Sequence, residues 1–373
     1  MQINLLSFAS VMNTVWAIFL AILILLIMIT VHEFGHYIVG KIFHFKINEF
    51  SIGFGPALFK KTKKSGEVFA IRLIPLGGFC AFEGEEDDEE NKSSHPDAFN
   101  NKPPWQRILV LIAGAFMNFI TAMLCIIVSF AAFGQLLLMA YRVEPIPAGQ
   151  EQTYYEYSLQ DEDIIVSVEG RDVYLVSDLQ EALKGGKTGD CFTFTVIRDG
   201  KKVKQEVRLR SDIENSSIAE TAHLFRAIGV QETDGEFEIY SCKVKLGFFK
   251  TIGRAFVYAI RIAGTIFTVL GELLTGVLGL SAMGGPVTTI SVTSQIVSQG
   301  LLQFLEMTAY IGINLAVFNL LPIPALDGSK VVFTTIEWIR GKPLNRKVEN
   351  IIHFIGMVLI LGFAVLVDLL QLF

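Results

Sequence analysis

Residues 15–31, VWAIFLAILILLIMITV, carry no charge and scarcely a polar group, and they run directly into His32-Glu33-Phe34-Gly35-His36. A run of this kind approaches the ~20 residues an α-helix needs to cross a bilayer. Two imidazoles and a carboxylate appended to such a helix are expensive to bury unless they are used. A secretory leader would show a basic n-region and a small-residue cleavage site, and neither is present. Its removal would also discard the ionisable cluster, so the segment is expected to remain as a spanning helix.

On a helix, His32 and His36 stack one turn apart on one face, where both rings can reach a single ion. The H-E-x-x-H spacing suits tetrahedral zinc, with Glu33 as the general base acting on water rather than as a ligand. A chance or structural origin of so short a pattern is disfavoured by its place at the end of an uncharged helix.

Composition agrees with a membrane setting. Across 373 residues 51 % are hydrophobic and 30 are phenylalanine, and the mean hydropathy is +0.49. Charged residues make up 18 %, against about a quarter in ordinary soluble domains. The net charge of −6 is mild and its signs are interspersed, which proposes no nucleic-acid partner. Cys80, Cys125, Cys191 and Cys242 show no C-x-x-C spacing and suggest neither a second metal site nor a disulfide framework. Cys191 and Cys242 could pair only if they shared an oxidising compartment.

Apolar runs long enough to span occur at 15–38, 107–133, 303–321 and 350–372, which predicts a polytopic α-helical membrane protein with about four transmembrane helices. The stretch 252–280 carries Arg254, Arg261 and Glu272 and the internal glycines Gly264, Gly271 and Gly276; an interfacial or re-entrant helix fits it better than a clean span. Lys60, Lys61, Lys63 and Lys64 in the first loop, and Lys330, Arg340, Lys342, Arg346 and Lys347 in the last, place both loops in the cytoplasm. The His32–His36 end of the first helix then lies toward the cytoplasmic face, and the segment between the second and third spans lies outside.

Between the first two spans, residues 67–74 alternate as a strand after a Lys64-Ser65-Gly66 turn, bracketed by Gly53-Phe54-Gly55-Pro56 and Pro75-Leu76-Gly77-Gly78-Phe79. A membrane-associated β-element dipping toward the histidines is expected. The acidic run 83–90 reads as a solvated loop. The second span holds the small-residue patch Ala113-Gly114-Ala115 and then Asn118, which either bonds between helices or faces the site as an oxyanion donor.

Residues 141–212 read as a compact β-rich module. It has a strand at 163–168, a Ser177-Asp178-Leu179-Gln180 capping box opening a helix that stops at Gly185-Gly186, and a hairpin turning at Asp199-Gly200. A further strand is expected at 237–240. The chain thus divides into 1–140 (membrane core with the first two spans and β-loop), 141–212 (module), 213–285 (linker and interfacial helix) and 286–373 (C-terminal membrane core).

A catalytic zinc takes three protein ligands and keeps one position open, and the first helix offers two. Asn319-Leu320-Leu321-Pro322-Ile323-Pro324-Ala325-Leu326-Asp327-Gly328 closes the third span. Two alternate prolines end the helix there, and irregular backbone survives at membrane depth only beside protein or a wet cavity. Asp327 is the candidate third ligand, its rival role being a helix cap.

HEFGH, the later N-x-x-P-x-P-x-L-D-G and the module between them together resemble the site-two protease family of intramembrane zinc metalloproteases, in its bacterial regulator-of-sigma branch. The resemblance covers nearly the whole chain. It implies zinc on His32, His36 and Asp327, Glu33 as catalytic base, and Asn319 holding the substrate backbone, with Asn118 beside the site. It also implies that the β-element around Gly53, Gly55, Gly77 and Gly78 presents substrate as a strand. Met283-Gly284-Gly285-Pro286 resembles the family's G-P segment before its third core helix. The module would be one inserted extracytoplasmic PDZ-like α+β domain, and the host bilayer the cell's cytoplasmic membrane. Substrates would be single-pass membrane proteins such as anti-sigma factors, or remnant signal peptides. Two departures stand out: Ala113-Gly114-Ala115 replaces the family's A-G-P, and residues 150–157 stretch the module's usual entry after Pro147-Ala148-Gly149. Rival readings are a non-proteolytic membrane scaffold and a zinc transporter.

Overall fold

The computed structural model describes residues 8–85, 93, 95–140, 143, 157–213, 222–230, 240–244, 247–279, 284–342 and 344–371. Nine helices are described among them: α1 (Phe8–Ile42), α2 (Pro104–Phe133), α3 (Val176–Leu183), α4 (Ala222–Ala227), α5 (Phe248–Thr275), α6 (Pro286–Val297), α7 (Leu301–Leu320), α8 (Asp327–Arg340) and α9 (Arg346–Leu370). The strands are β1 (Ile47–Thr62), β2 (Val68–Phe82), β3 (Gln135–Met139), β4 (Ile164–Val168), β5 (Arg171–Asp172), β6 (Cys191–Arg198), β7 (Lys201–Arg208) and β8 (Tyr240–Val244).

Because α1 is apolar all round, a single protein neighbour cannot cover it. Ala17, Ala21, Ile24 and Met28 form a buried stripe at helical spacing, while Val15, Trp16, Phe19 and Ile27 stay exposed. Ile24 and Met28 pack with Val297 and Ile311, on α6 and α7. An exposed apolar surface on this scale needs lipid. Among the described residues five helices are long and apolar enough to cross a membrane: Val11–Ile42, Pro104–Phe133, Phe248–Thr275, Leu301–Leu320 and Lys347–Leu370. The chain is a polytopic membrane protein. Four of these coincide with the expected spans, and the fifth, α5, covers the stretch read as ambiguous. The short α6 was not anticipated, since its sequence PVTTISVTSQIV mixes apolar with hydroxyl residues. Pro286 opens it, and the Asp368 carboxylate accepts from the backbone N–H of Val287 at 3.0 Å and of Thr288 at 3.2 Å.

The fold divides into two compact units, Met1–Ile126 with Leu280–Phe373, and Ile127–Gly279. In the first, β1 and β2 form an antiparallel pair that folds back on itself. Residues 57–62 pair with 68–72, and residues 49–52 pair both with 68–71 and with 78–81. The bends fall where Gly53 and Gly77 take positive φ (86° and 127°), which lets each long strand double over. The β-element expected from local alternation at 67–74 is therefore a ribbon of four laterally paired segments, one edge of which is residues 78–82. Its far end exposes Phe54, Leu58, Phe59, Leu73 and Ile74, as a surface resting in lipid would.

In the second unit a six-stranded antiparallel sheet runs β7-β6-β4-β3-β8, with β5 beside β4. The hairpin at Asp199-Gly200 forms as expected, both residues with positive φ (49° and 73°). Leu179, Leu183, Phe194, Val207 and Leu224 make its core with α3 and α4. The expected capping box of Ser177 and Gln180 does not form. The helix begins at Val176, and Asp178 Oδ2 instead accepts from the N–H of Tyr174 (2.8 Å) and Leu175 (3.0 Å). The carboxylate thus binds the backbone just before the helix with charge-assisted bonds; Ser177 Oγ lies 3.4 Å from Thr265 Oγ1 on α5. α5 buries Thr251, Ala255, Ala259, Ile262 and Ile266. Its Arg254 lies over Tyr174 and its Arg261 pairs with Asp178 at 3.4 Å, so its charges serve the module. Cys191 is a free, exposed thiol. The expected features at 86–90, 144–156, 237–239 and Met283, and the Cys242 side chain, lie outside the described residues.

Candidate metal centre

Helical spacing brings His32 and His36 together, with their Nε2 atoms 3.1 Å apart. The prolines at 322 and 324 end α7, and the chain re-enters helix at Asp327, the first residue of α8. Asp327 Oδ2 lies 2.9 Å from His32 Nε2 and 3.4 Å from His36 Nε2. These three donors form the metal-capable group found among the described residues. Four ligands at 2.0–2.1 Å around tetrahedral zinc stand about 3.3 Å from one another. The three observed separations cluster near that edge length, so the donor set fits one zinc and leaves a fourth corner open. Both histidines are buried, at 8 % and 7 % exposure.

The outer ring nitrogens also have neighbours. His36 Nδ1 lies 2.8 Å from the Val110 carbonyl of α2 and must donate to it, which leaves Nε2 free to ligate. His32 Nδ1 lies 3.4 Å from the Asn319 side-chain amide. Ligation through His32 Nε2 puts the proton on Nδ1, so the Asn319 amide presents its oxygen there after a 180° turn.

A cavity of about 570 Å³ opens beside the donors, lined by Glu33, His36, Asp327 and the β2 edge around Cys80 and Phe82. The Glu33 carboxylate accepts from the Cys80 backbone N–H. Lys330, one turn beyond Asp327, pairs with Glu85 at 2.7 Å on the same cavity's wall.

Of the expected glycines, Gly78 abuts the site: a Cβ there would stand 3.4 Å from Glu33 Cγ. Gly53, Gly55 and Gly77 instead shape the ribbon's bends and lie elsewhere in it. Asn118 is fully buried, and neither of its amide atoms has a hydrogen-bond partner among the described residues. Among the described residues it bonds neither into the network of the histidines nor across to another helix. Gly114, one turn before it, was read only as part of a small-residue patch, yet its Cα faces both imidazoles.

A model of peptidase family M50 matches residues 20–363. The chain belongs to peptidase family M50. It is a zinc metalloprotease, as its M50 relatives are named. It is 30 % identical over 354 residues to a Brucella suis protein with the provisional name zinc metalloprotease, covering 91 % of this chain and 90 % of that one. It is 28 % identical to the zinc metalloprotease RasP of Bacillus licheniformis, covering 93 % and 95 %. Identity to the regulator of sigma-W protease RasP of Bacillus subtilis is 26 %, covering 87 % and 91 %.

Proposed function

We propose that this chain is an intramembrane endopeptidase that cuts a peptide bond within, or at the edge of, the transmembrane segment of single-pass membrane proteins. The observation that carries the reading is a three-donor metal cluster, with Glu33 on the wall of the adjoining cavity, on a membrane-capable helix whose flanks are apolar and exposed. In this reading His32, His36 and Asp327 hold the zinc. Zinc held there supplies Lewis-acid polarisation of the scissile carbonyl and a water acidified toward neutrality. Glu33 takes the proton of the attacking water onto a carboxylate oxygen and then delivers it to the leaving amine.

A helical substrate hides its carbonyls in intrahelical bonds and must be unwound. The ribbon edge 78–82, which pairs with no strand on its outer side among the described residues, offers a template on which an extended segment can add. Gly78, with no side chain beside Glu33, leaves room for that backbone. In this scheme the Asn319 amide, 3.4 Å from His32 Nδ1, orients that ring and so serves the metal site.

The Lys and Arg of the first and last loops favour a cytoplasmic active face and an extracytoplasmic module at 141–212 in the cytoplasmic membrane. That module's strand–helix–hairpin order supports a PDZ-like reading. By likeness to the sigma-W regulator, anti-sigma factors or remnant signal peptides are the proposed substrates.

The test is cleavage of a tagged single-pass substrate by purified protein. Glu33→Gln should retain zinc and lose cleavage by at least 10³-fold, and Asp327→Ala should lose both. Undiminished cleavage by Glu33→Gln would leave a non-proteolytic scaffold as the better account.

A further inference from the structure

The unit Ile127–Gly279 contains a second cavity of about 570 Å³, between the outer face of its sheet and the first half of α5. Much of its wall is hydrocarbon, from residues such as Leu137, Val166 and Val257. Set into that wall are Lys202, Lys250 and Arg254, and no carboxylate lines it among the described residues.

Gln135 also faces this space. It is 1 % exposed, and among the described residues neither its Oε1 nor its Nε2 has a hydrogen-bond partner. Arg254 Nη1 is likewise buried without a partner, while the guanidinium lies 4.8 Å from the centre of the Tyr174 ring. Buried polar groups are almost always bonded, so donors left idle at a cavity wall call for an acceptor from outside the chain. Three cations without an acid specify an anion, and the apolar wall specifies that the anion carries hydrocarbon.

The location decides the source. Gln135 follows the end of the membrane-capable α2 by two residues. Phe248 and Phe249 at the start of α5 are 72 % and 85 % exposed, as aromatic anchors at a bilayer surface are. We propose that this cavity binds an anionic phospholipid, its phosphate held by Arg254, Lys250 and Lys202 with Gln135 as the inner hydrogen-bonding partner, and its upper acyl chain against the apolar wall. Basic clusters at a membrane surface select anionic over zwitterionic lipid.

The experiment is native mass spectrometry of the full, zinc-loaded chain in detergent, titrated with phosphatidylglycerol or phosphatidylcholine. Wild type should retain phosphatidylglycerol with at least tenfold preference, and Arg254→Gln and Gln135→Glu should each abolish that preference. Should either buried variant fail to fold, the exposed pair Lys202→Gln/Lys250→Gln still decides the matter, with an expected loss of fivefold or more. Equal retention of the two lipids, or full retention by the lysine variant, would overturn the proposal. Displacement by millimolar inorganic phosphate alone would assign the site to free phosphate and overturn it as a lipid site. Displacement by an apolar peptide with a free C-terminal carboxylate would do the same in favour of a peptide.

Discussion

Gly114 presses its bare Cα against His36: a Cβ added there would stand 2.5 Å from His36 Nε2 and 2.7 Å from His32 Cε1. Hydrogen is the only substituent that lets α2 approach the donor atoms so closely. Gly114→Ala should therefore displace the imidazoles although alanine favours a helix by about 1 kcal/mol over glycine. The expected outcome is an unchanged or higher melting temperature, with bound zinc below half of wild type and cleavage at least tenfold slower. Full zinc occupancy in this variant would show that the rings are not held by that contact.

Asn319 is the neighbour of His32 Nδ1, and groups in this position fix a ligand's tautomer and orientation. Their loss typically lowers metal affinity or activity about 10–100-fold. Asn319→Ala should weaken zinc retention within that range in a chelator-competition assay. Asn319→Asp, which keeps an acceptor facing Nδ1–H, should recover most of it. A variant that cleaves poorly but holds zinc as tightly as wild type would assign Asn319 to the substrate instead.

The β-ribbon is tied to the end of α1 by Glu67, which is 3 % exposed. It accepts from Tyr37 at 2.9 Å, Lys41 at 2.5 Å and Lys63 at 2.8 Å. Burial alone would raise its pKa, but the bonds from Lys41, Lys63 and Tyr37 outweigh that and hold it below the usual carboxylate value. A depressed folded-state pKa means the stabilisation is fully present above the unfolded value, about 4.3, and fades as pH falls through the folded one. Amide exchange over residues 60–72 should accordingly accelerate as pH drops below about 4.3, after correction for intrinsic rates. Glu67→Gln should exchange faster at pH 7 and lose the pH dependence.

Much of the metal site could be read in the chain because its spacing is local. His32 and His36 are bound to share a face whatever else the protein does, and the two prolines before Asp327 marked a break that a buried carboxylate could use. The neighbours of the site were less accessible. Whether Gly114, Ala113 or Ala115 meets the rings depends on the rotation of α2 about its axis, which no local pattern encodes. The ribbon's doubling at Gly53 and Gly77 depends on pairing between residues 49–52 and 78–81, so alternation at 67–74 disclosed only one of its strands. α5 was ambiguous for a related reason: Arg254 and Arg261 read as obstacles to a membrane helix until Tyr174 and Asp178 appeared beside them.

Arg107, near the start of α2, is 1 % exposed and reaches Glu337 on α8 with two hydrogen bonds, of 2.5 and 3.2 Å. This pair sits ten residues along the helix that begins with Asp327, so it sets where α8 lies and, through it, where the third donor stands. Removing one partner of a buried pair leaves an uncompensated charge and typically costs about 3–5 kcal/mol. Glu337→Ala should lower stability toward that range, tempered by the 15 % exposure of the Glu337 side chain, and should reduce zinc occupancy although it lies outside the donor set. The double variant Arg107→Met/Glu337→Leu, which removes both charges and keeps the volume, should regain most of the stability and the zinc. Failure of that double variant to recover zinc while its melting temperature recovers would show that α8 is positioned by its other contacts, and that the pair serves stability alone.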